Sequence, residues 1–270
     1  MKKLFVVFAV FAFLMAGPAI VRASTIIGGD AASQAAATDI LDIMFLIDTS
    51  GSMSDDIAAI GNAASTAIQN LQCPECDVYV RARFMGIGGT SGAVWNENFN
   101  NQTYSTIANS SEDNGVAAYE AIIAATGTWW VNDAAAGQDY YRAVVTIGDE
   151  GTENGQPVDQ ADWAAAFLAN QAAINNGVFL FSWVTNDPYS GVVDLFQKMA
   201  MGGSGGGYTF GYAGGGFVND AAGTGDVVAT LQNIICTAGG GGGQPQVPEP
   251  ATLLLLGFGL AGLATLRKKF

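Results

Sequence analysis

Residues 41–54, LDIMFLIDTSGSMS, constrain this chain more than any other stretch. An apolar run ends abruptly at Asp48, and hydroxyls follow at alternate positions, Ser50 and Ser52, with Gly51 between them. A short run of this kind reads as a strand buried on both faces, which belongs inside a parallel sheet. In open α/β sheets, ligands bind outside the carboxyl ends of such strands. A carboxylate and two hydroxyls placed there are hard oxygen donors. They suit a divalent cation, Mg²⁺ first and Mn²⁺ or Ca²⁺ next, rather than zinc or copper.

The rest of the chain alternates strand and helix. Acids at Asp55 and Asp56 suit a helix start. Ile57, Ile60, Ala64, Ile68 and Leu71 then recur at helical spacing. Val78, Val80, Ala82 and Phe84 alternate with Tyr79, Arg81 and Arg83, which predicts a half-covered strand at an antiparallel sheet edge. Residues 93–99 are expected to pair back as a short hairpin strand, and residues 116–125 to form a helix. Residues 142–147, RAVVTI, form a second apolar strand, ending at Gly148-Asp149-Glu150-Gly151, again with a carboxylate at its carboxyl end.

A helix at 157–175, a buried strand at 178–184 and a helix at 192–201 follow. Within the Gly-rich tract 201–216, Tyr208, Phe210 and Tyr212 alternate, which fits either an edge strand or a surface loop. A helix at 224–236 closes the domain. This order specifies an α/β class: a doubly wound, mostly parallel sheet flanked by helices.

The DxSxS pattern of Asp48, Ser50 and Ser52 after one strand, with Asp149 after another, resembles the von Willebrand factor type A domain and its metal-ion-dependent adhesion site. The resemblance spans residues 40–237 and implies a Rossmann-like sheet. It implies that Ser50 and Ser52 contact the ion, while Asp48 and Asp149 act through water or orient the serines. A partner's carboxylate then takes the position left to water. Residues 116–122, VAAYEAI, resemble the helix after the second metal-site loop. Many such domains supply a threonine there. Here the aligned residue is Val116, so Glu112 and Asp113 just upstream are the candidate second-loop ligands. Helix capping alone needs one Ser or Asp, and these residues exceed that need.

Both ends read as addresses. Lys2 and Lys3, an apolar run and Val21-Arg22-Ala23 make residues 1–23 a secretory signal. Residues 24–39 form a lead-in, and residues 238–246 a Gly-rich linker. Residues 247–270 combine Pro248, Glu249 and Pro250 with an apolar run at 251–266, near the lower length limit for a membrane helix. A basic tail, Arg267, Lys268 and Lys269, should stay cytoplasmic. That order resembles the PEP-CTERM sorting signal of Gram-negative bacteria. It implies recognition by an exosortase, removal of the tail, and a cell-surface or extracellular-matrix destination with an exopolysaccharide or biofilm context. The alternative is a permanent single-pass anchor.

Between these ends, Arg81, Arg83, Arg142 and Lys198 face 23 acidic residues, a net charge of 4 − 23 = −19. Such a surface repels nucleic acid and anionic lipid and draws in divalent cations. Nucleic acid is therefore excluded as a partner, and membrane contact is expected only through the C-terminal helix before processing. The chain has no histidine, which removes Ser/His/Asp and Cys/His catalysis and the usual His-bearing zinc sites. Of Cys73, Cys76 and Cys236, two can form a disulfide in an exported protein, and the sequence leaves the pairing open. Cys73-Pro74-Glu75-Cys76 lacks the surroundings of a thioredoxin-type site and reads as a structural loop.

The function expected is therefore non-enzymatic: an exported adhesion protein whose cation bridges an acidic group of a protein or polysaccharide. A structural matrix protein, in which the cation only stabilises the fold, is the alternative. A metal-assisted hydrolase with Asp149 or Glu150 as base lacks an evident nucleophile, oxyanion donor or pocket.

Overall fold

The computed structural model describes residues 25–28, 34–73, 77–87, 103–104, 113–123, 130–185, 188–223 and 225–240. The secretory signal, the 93–99 segment, Cys76, Glu112 and the sorting signal lie outside them. Among the described residues, no helix is long and apolar enough to cross a membrane.

The strands are β1 (Thr25–Gly28), β2 (Asp39–Ile47), β3 (Val78–Ile87), β4 (Thr103–Tyr104), β5 (Asp139–Gly148), β6 (Phe179–Val184), β7 (Gly203–Gly205), β8 (Tyr208–Phe210) and β9 (Gly214–Asn219). The helices are α1 (Ser54–Gln69), α2 (Asn114–Ile123), α3 (Gln160–Asn176), α4 (Val192–Met201) and α5 (Val227–Gly239). The main sheet runs β1-β3-β2-β5-β6-β9, with β4 beside β3. Among the described strands of this sheet, only β1 is antiparallel to its neighbour; β3, β2, β5, β6 and β9 are parallel. This is a Rossmann-like α/β fold.

β2 sits between β3 and β5 and is buried on both faces, as its apolar residues on either side of Asp42 require. Leu41, Ile43, Phe45 and Ile47 pack toward α1 and α5, against Ile57, Ile60, Ile68, Leu231 and Ile235. Met44 and Leu46 pack toward α2 and α3, against Ala117, Ala121, Ile122 and Ala169. Each large side chain buried this way contributes roughly 1.5–3 kcal/mol. The two helix layers leave only the strand ends accessible, and the carboxyl ends of β2 and β5 lie side by side there.

Three local expectations are corrected. β3 is not an antiparallel edge: it runs parallel to β2, with Val78 opposite Asp39 and Gly86 opposite Ile47. The polar positions that suggested a solvent face include Arg81, which is buried because Asp42 on the neighbouring strand pairs with it. The antiparallel edge is β1, inside the stretch read as a lead-in. The alternating Tyr208, Phe210 and Tyr212 of the Gly-rich tract form neither the last edge strand, which begins only at Gly214, nor a loose loop. The tract folds as the β7–β8 hairpin, clamped on α3 by Phe167 stacked on Tyr208 at 4.8 Å, while β9 closes the sheet.

α3 starts three residues later than expected because Asp159 caps it, accepting from the Ala161 amide at 2.7 Å in a capping box with Asp162. Gly177 ends it in a left-handed conformation, φ +61°. Cys73, beyond α1, is joined to Cys236 in α5, so Cys73 does not pair within the Cys-Pro-Glu-Cys loop.

Candidate metal centre

Where β2 ends, the Asp48 amide still donates to Ile147 O at 2.9 Å, locking the β2 and β5 ends together. That bond places Asp48 beside the loop that carries Asp149. The chain then turns back on itself: the Ser50 amide donates to Asp48 Oδ1 at 2.7 Å, an Asx-type turn. A 3-10 turn, Gly51–Met53, feeds directly into α1. The turn brings Ser50 Oγ and Ser52 Oγ to 2.9 Å, and Ser52 Oγ donates to Asp149 Oδ1 at 3.2 Å. Four sequence-predicted residues thus meet. Thr49, between them, points away and donates to Ile87 O.

The centre has a buried floor and an open rim. Asp48 is fully buried and Asp149 is 3% exposed, whereas Ser52 faces solvent. Burial pushes the Asp48 carboxyl well above its ordinary range; the Ser50 amide and hydroxyl offset part of this, and Asp149 and Glu150 add repulsion. Asp48 Oδ2 has no hydrogen-bond partner. A buried carboxylate left this way is costly unless a positive charge approaches it.

A fifth residue, missed by sequence reasoning, lies beside these four. Asn114, the first residue of α2, is fully buried, and neither its Oδ1 nor its Nδ2 has a hydrogen-bond partner. It borders the same space as Asp48: a Cβ on Gly148 would lie 2.3 Å from Asn114 Nδ2 and 3.2 Å from Asp48 Oδ2. Gly148 is therefore required by close approach. Because amide oxygen and nitrogen are interchangeable by a flip, Asn114 can present its oxygen to this space. The available signal was a polar Asn immediately before Gly115 at the start of an apolar helix.

Of the acids just upstream, Asp113 is turned to the third loop, where it accepts from the Asn154 amide at 3.0 Å. Glu112 lies outside the described residues. Asp56, one turn into α1, is pushed up to about 6, chiefly by burial and then by Asp55; Asp149 and Asp220 add to this, and a Thr185 hydrogen bond opposes it.

The donors are two carboxylates, two hydroxyls and one amide, all able to offer oxygen, and the charged neighbours that act on Asp48 are acids. That set fits a hard divalent cation. Among the described residues, no three Asp, Glu, Cys or His side chains gather as a metal cluster, so the hydroxyls and the amide would have to share the coordination.

Fold and tail together define an exported α/β protein destined for the cell surface or the extracellular space. Residues 246–269 match the PEP-CTERM protein-sorting motif, which marks processing by an exosortase during export. No curated protein matches the chain.

Proposed function

We propose that the protein is a non-enzymatic binding protein of the cell surface or extracellular matrix, holding a divalent cation, Mg²⁺ before Mn²⁺ or Ca²⁺, with Asp48, Ser50, Ser52, Asn114 and Asp149. The cation bridges the protein to a carboxylate on a protein or acidic polysaccharide. The observation that carries this reading is the orphaned pair at the strand ends, Asp48 Oδ2 and the Asn114 amide, both buried and bordering one space. The resemblance of the DxSxS loop and Asp149 to the type A adhesion site supports it, and Asn114 lies two residues before Val116, the residue aligned with the threonine of those domains. Mg²⁺ keeps an octahedral shell and usually retains water, and a partner's carboxylate can replace one such water on the open Ser52 side.

A second reading, a cation that only stabilises the fold, is favoured by one feature: the floor residues are buried and only Ser52 faces solvent. One experiment separates the two. The exported chain and a Ser50→Ala, Ser52→Ala variant are passed over immobilised polyuronate and over immobilised matrix protein, in Mg²⁺ and in EDTA. Capture that requires both Mg²⁺ and the serines supports adhesion. A Mg²⁺-dependent rise in Tm without capture on either surface supports the structural reading and sinks adhesion.

A further inference from the structure

Asp162 is a fully buried acid on α3, outside the donor set. Its carboxylate accepts from the Glu153 amide at 2.7 Å and the Asp159 amide at 2.8 Å, with a further backbone hydrogen bond from Thr152. Burial raises the Asp162 carboxyl above its ordinary range, and the three amides gathered on it offset part of that cost without a cationic side chain. They also pin the loop that follows Asp149.

Thr152 extends the clamp to a second loop. Its hydroxyl donates to the main-chain carbonyl oxygen of Asp162 at 2.6 Å, while its own carbonyl accepts from the Gly115 amide at 3.0 Å. Asp113 adds a parallel tie to the Asn154 amide. Gly115 directly follows Asn114. The third loop, which carries Asp149, and the first turn of α2, which carries Asn114, are therefore fastened to each other through Thr152 and to α3 through Asp162.

We propose that Asp162, acting through Thr152, is the positioning residue that holds Asn114 and Asp149 in register with Asp48 around one cation. This rests on the cation-site reading above and adds a dependence that the site residues alone do not imply. Groups that orient metal ligands typically govern affinity about 10- to 100-fold without touching the ion.

The test is Mn²⁺ titration of the full exported chain, followed by electron paramagnetic resonance of the bound ion and by Tm in EDTA. Asp162→Asn, which turns an amide N–H toward backbone donors, is expected to weaken Mn²⁺ about tenfold or more and to broaden the bound-ion spectrum. Thr152→Val is expected to weaken it severalfold, and Thr152→Ser, which restores the hydroxyl, to recover wild-type affinity and line shape. Asp159→Ala serves as the structural control. It removes the α3 cap, so it lowers Tm, yet it should leave Mn²⁺ affinity unchanged.

Wild-type affinity in Asp162→Asn and Thr152→Val overturns the positioning role while leaving the cation site standing. Asp159→Ala weakening Mn²⁺ as much as Asp162→Asn overturns it as well, because general loosening of α3 then accounts for the effect. Should Asp162→Asn fail to fold, Asp162→Glu, which moves the carboxylate away from the Glu153 and Asp159 amides, takes its place, and wild-type Mn²⁺ affinity in it overturns the positioning role; the Thr152 pair tests the link from the third loop to the main-chain carbonyl of Asp162. A wild-type chain with no saturable Mn²⁺ binding overturns the cation-site reading and this inference with it.

Discussion

Two buried carboxylates on one strand have opposite surroundings. Asp42, toward the amino end of β2, has both oxygens answered: Arg81 Nε donates to Oδ1 at 2.7 Å, and the Val131 amide and Tyr140 hydroxyl each donate to Oδ2 at 2.8 Å. Arg81 is finished in turn by Asp133 at 2.9 Å and Val131 O at 2.6 Å. Asp48, at the carboxyl end, receives the Ser50 amide on Oδ1, and its Oδ2 is left without a partner. The fold can therefore complete a buried charge from its own groups, and it does so where the charge ties strands to a covering loop. At the other end it collects further oxygen donors, which makes the charge problem worse rather than solving it. That contrast separates a structural ion pair from a candidate binding centre more sharply than burial, which is the same for both.

The comparison breaks first on Asp42→Ala. Removing this carboxylate leaves Arg81 Nε, the Val131 amide and the Tyr140 hydroxyl without their buried acceptor, and about 3–5 kcal/mol should be lost. Urea unfolding in EDTA reads this directly, and a loss under 1 kcal/mol would show that Arg81 finds water or another partner. Next comes the cation. Mg²⁺ at a hundred times its Kd should stabilise the wild type by about 2.7 kcal/mol, raise its Tm, and leave Asp48→Asn unmoved. In EDTA the same variant should match or exceed the wild type, since it removes a costly charge. An equal Mg²⁺ shift in both proteins would assign the effect to the acidic surface.

The smallest effect concerns Asp56, whose pKa is raised from its ordinary 3.8 to about 6. The folded state holds this proton more tightly than the unfolded chain does. Its stabilising contribution is therefore present at low pH and lost as pH rises from about 4 through about 6. In EDTA, Tm should decline across that window, and Asp56→Asn should decline less. Parallel pH profiles for the two proteins would remove Asp56 from the account.

What could be read from the sequence followed what depends on short-range pattern. The apolar runs ending at Asp48 and Asp149 revealed two adjacent parallel strands and the grouping of Asp48, Ser50, Ser52 and Asp149, because strands buried on both faces lie side by side and bring their carboxyl ends together. Asn114 was hidden because an uncharged amide gains its significance only from the burial that α2 and Gly148 impose on it. Arg81 misled for the converse reason: alternation along β3 implied a wet face, which holds in part for Tyr79 and Arg83, and only Asp42 on β2 shows why Arg81 between them is buried. The β1 edge depends on a long-range pairing that local propensity does not encode, and the Cys73–Cys236 bond is equally non-local.

That bond also decides how the molecule bears tension. The PEP-CTERM segment, residues 246–269, follows α5 in the chain, so any pull exerted on the tail during sorting or attachment enters the domain through this last helix. A helix held only by packing would peel away under such a load. Here the pull meets Cys236 within α5 and passes through a covalent link to Cys73, beyond the end of α1. Force is thus carried past the helix seam into the chain between α1 and β3, and the strand ends that carry Asp48 and Asp149 lie off the direct load path.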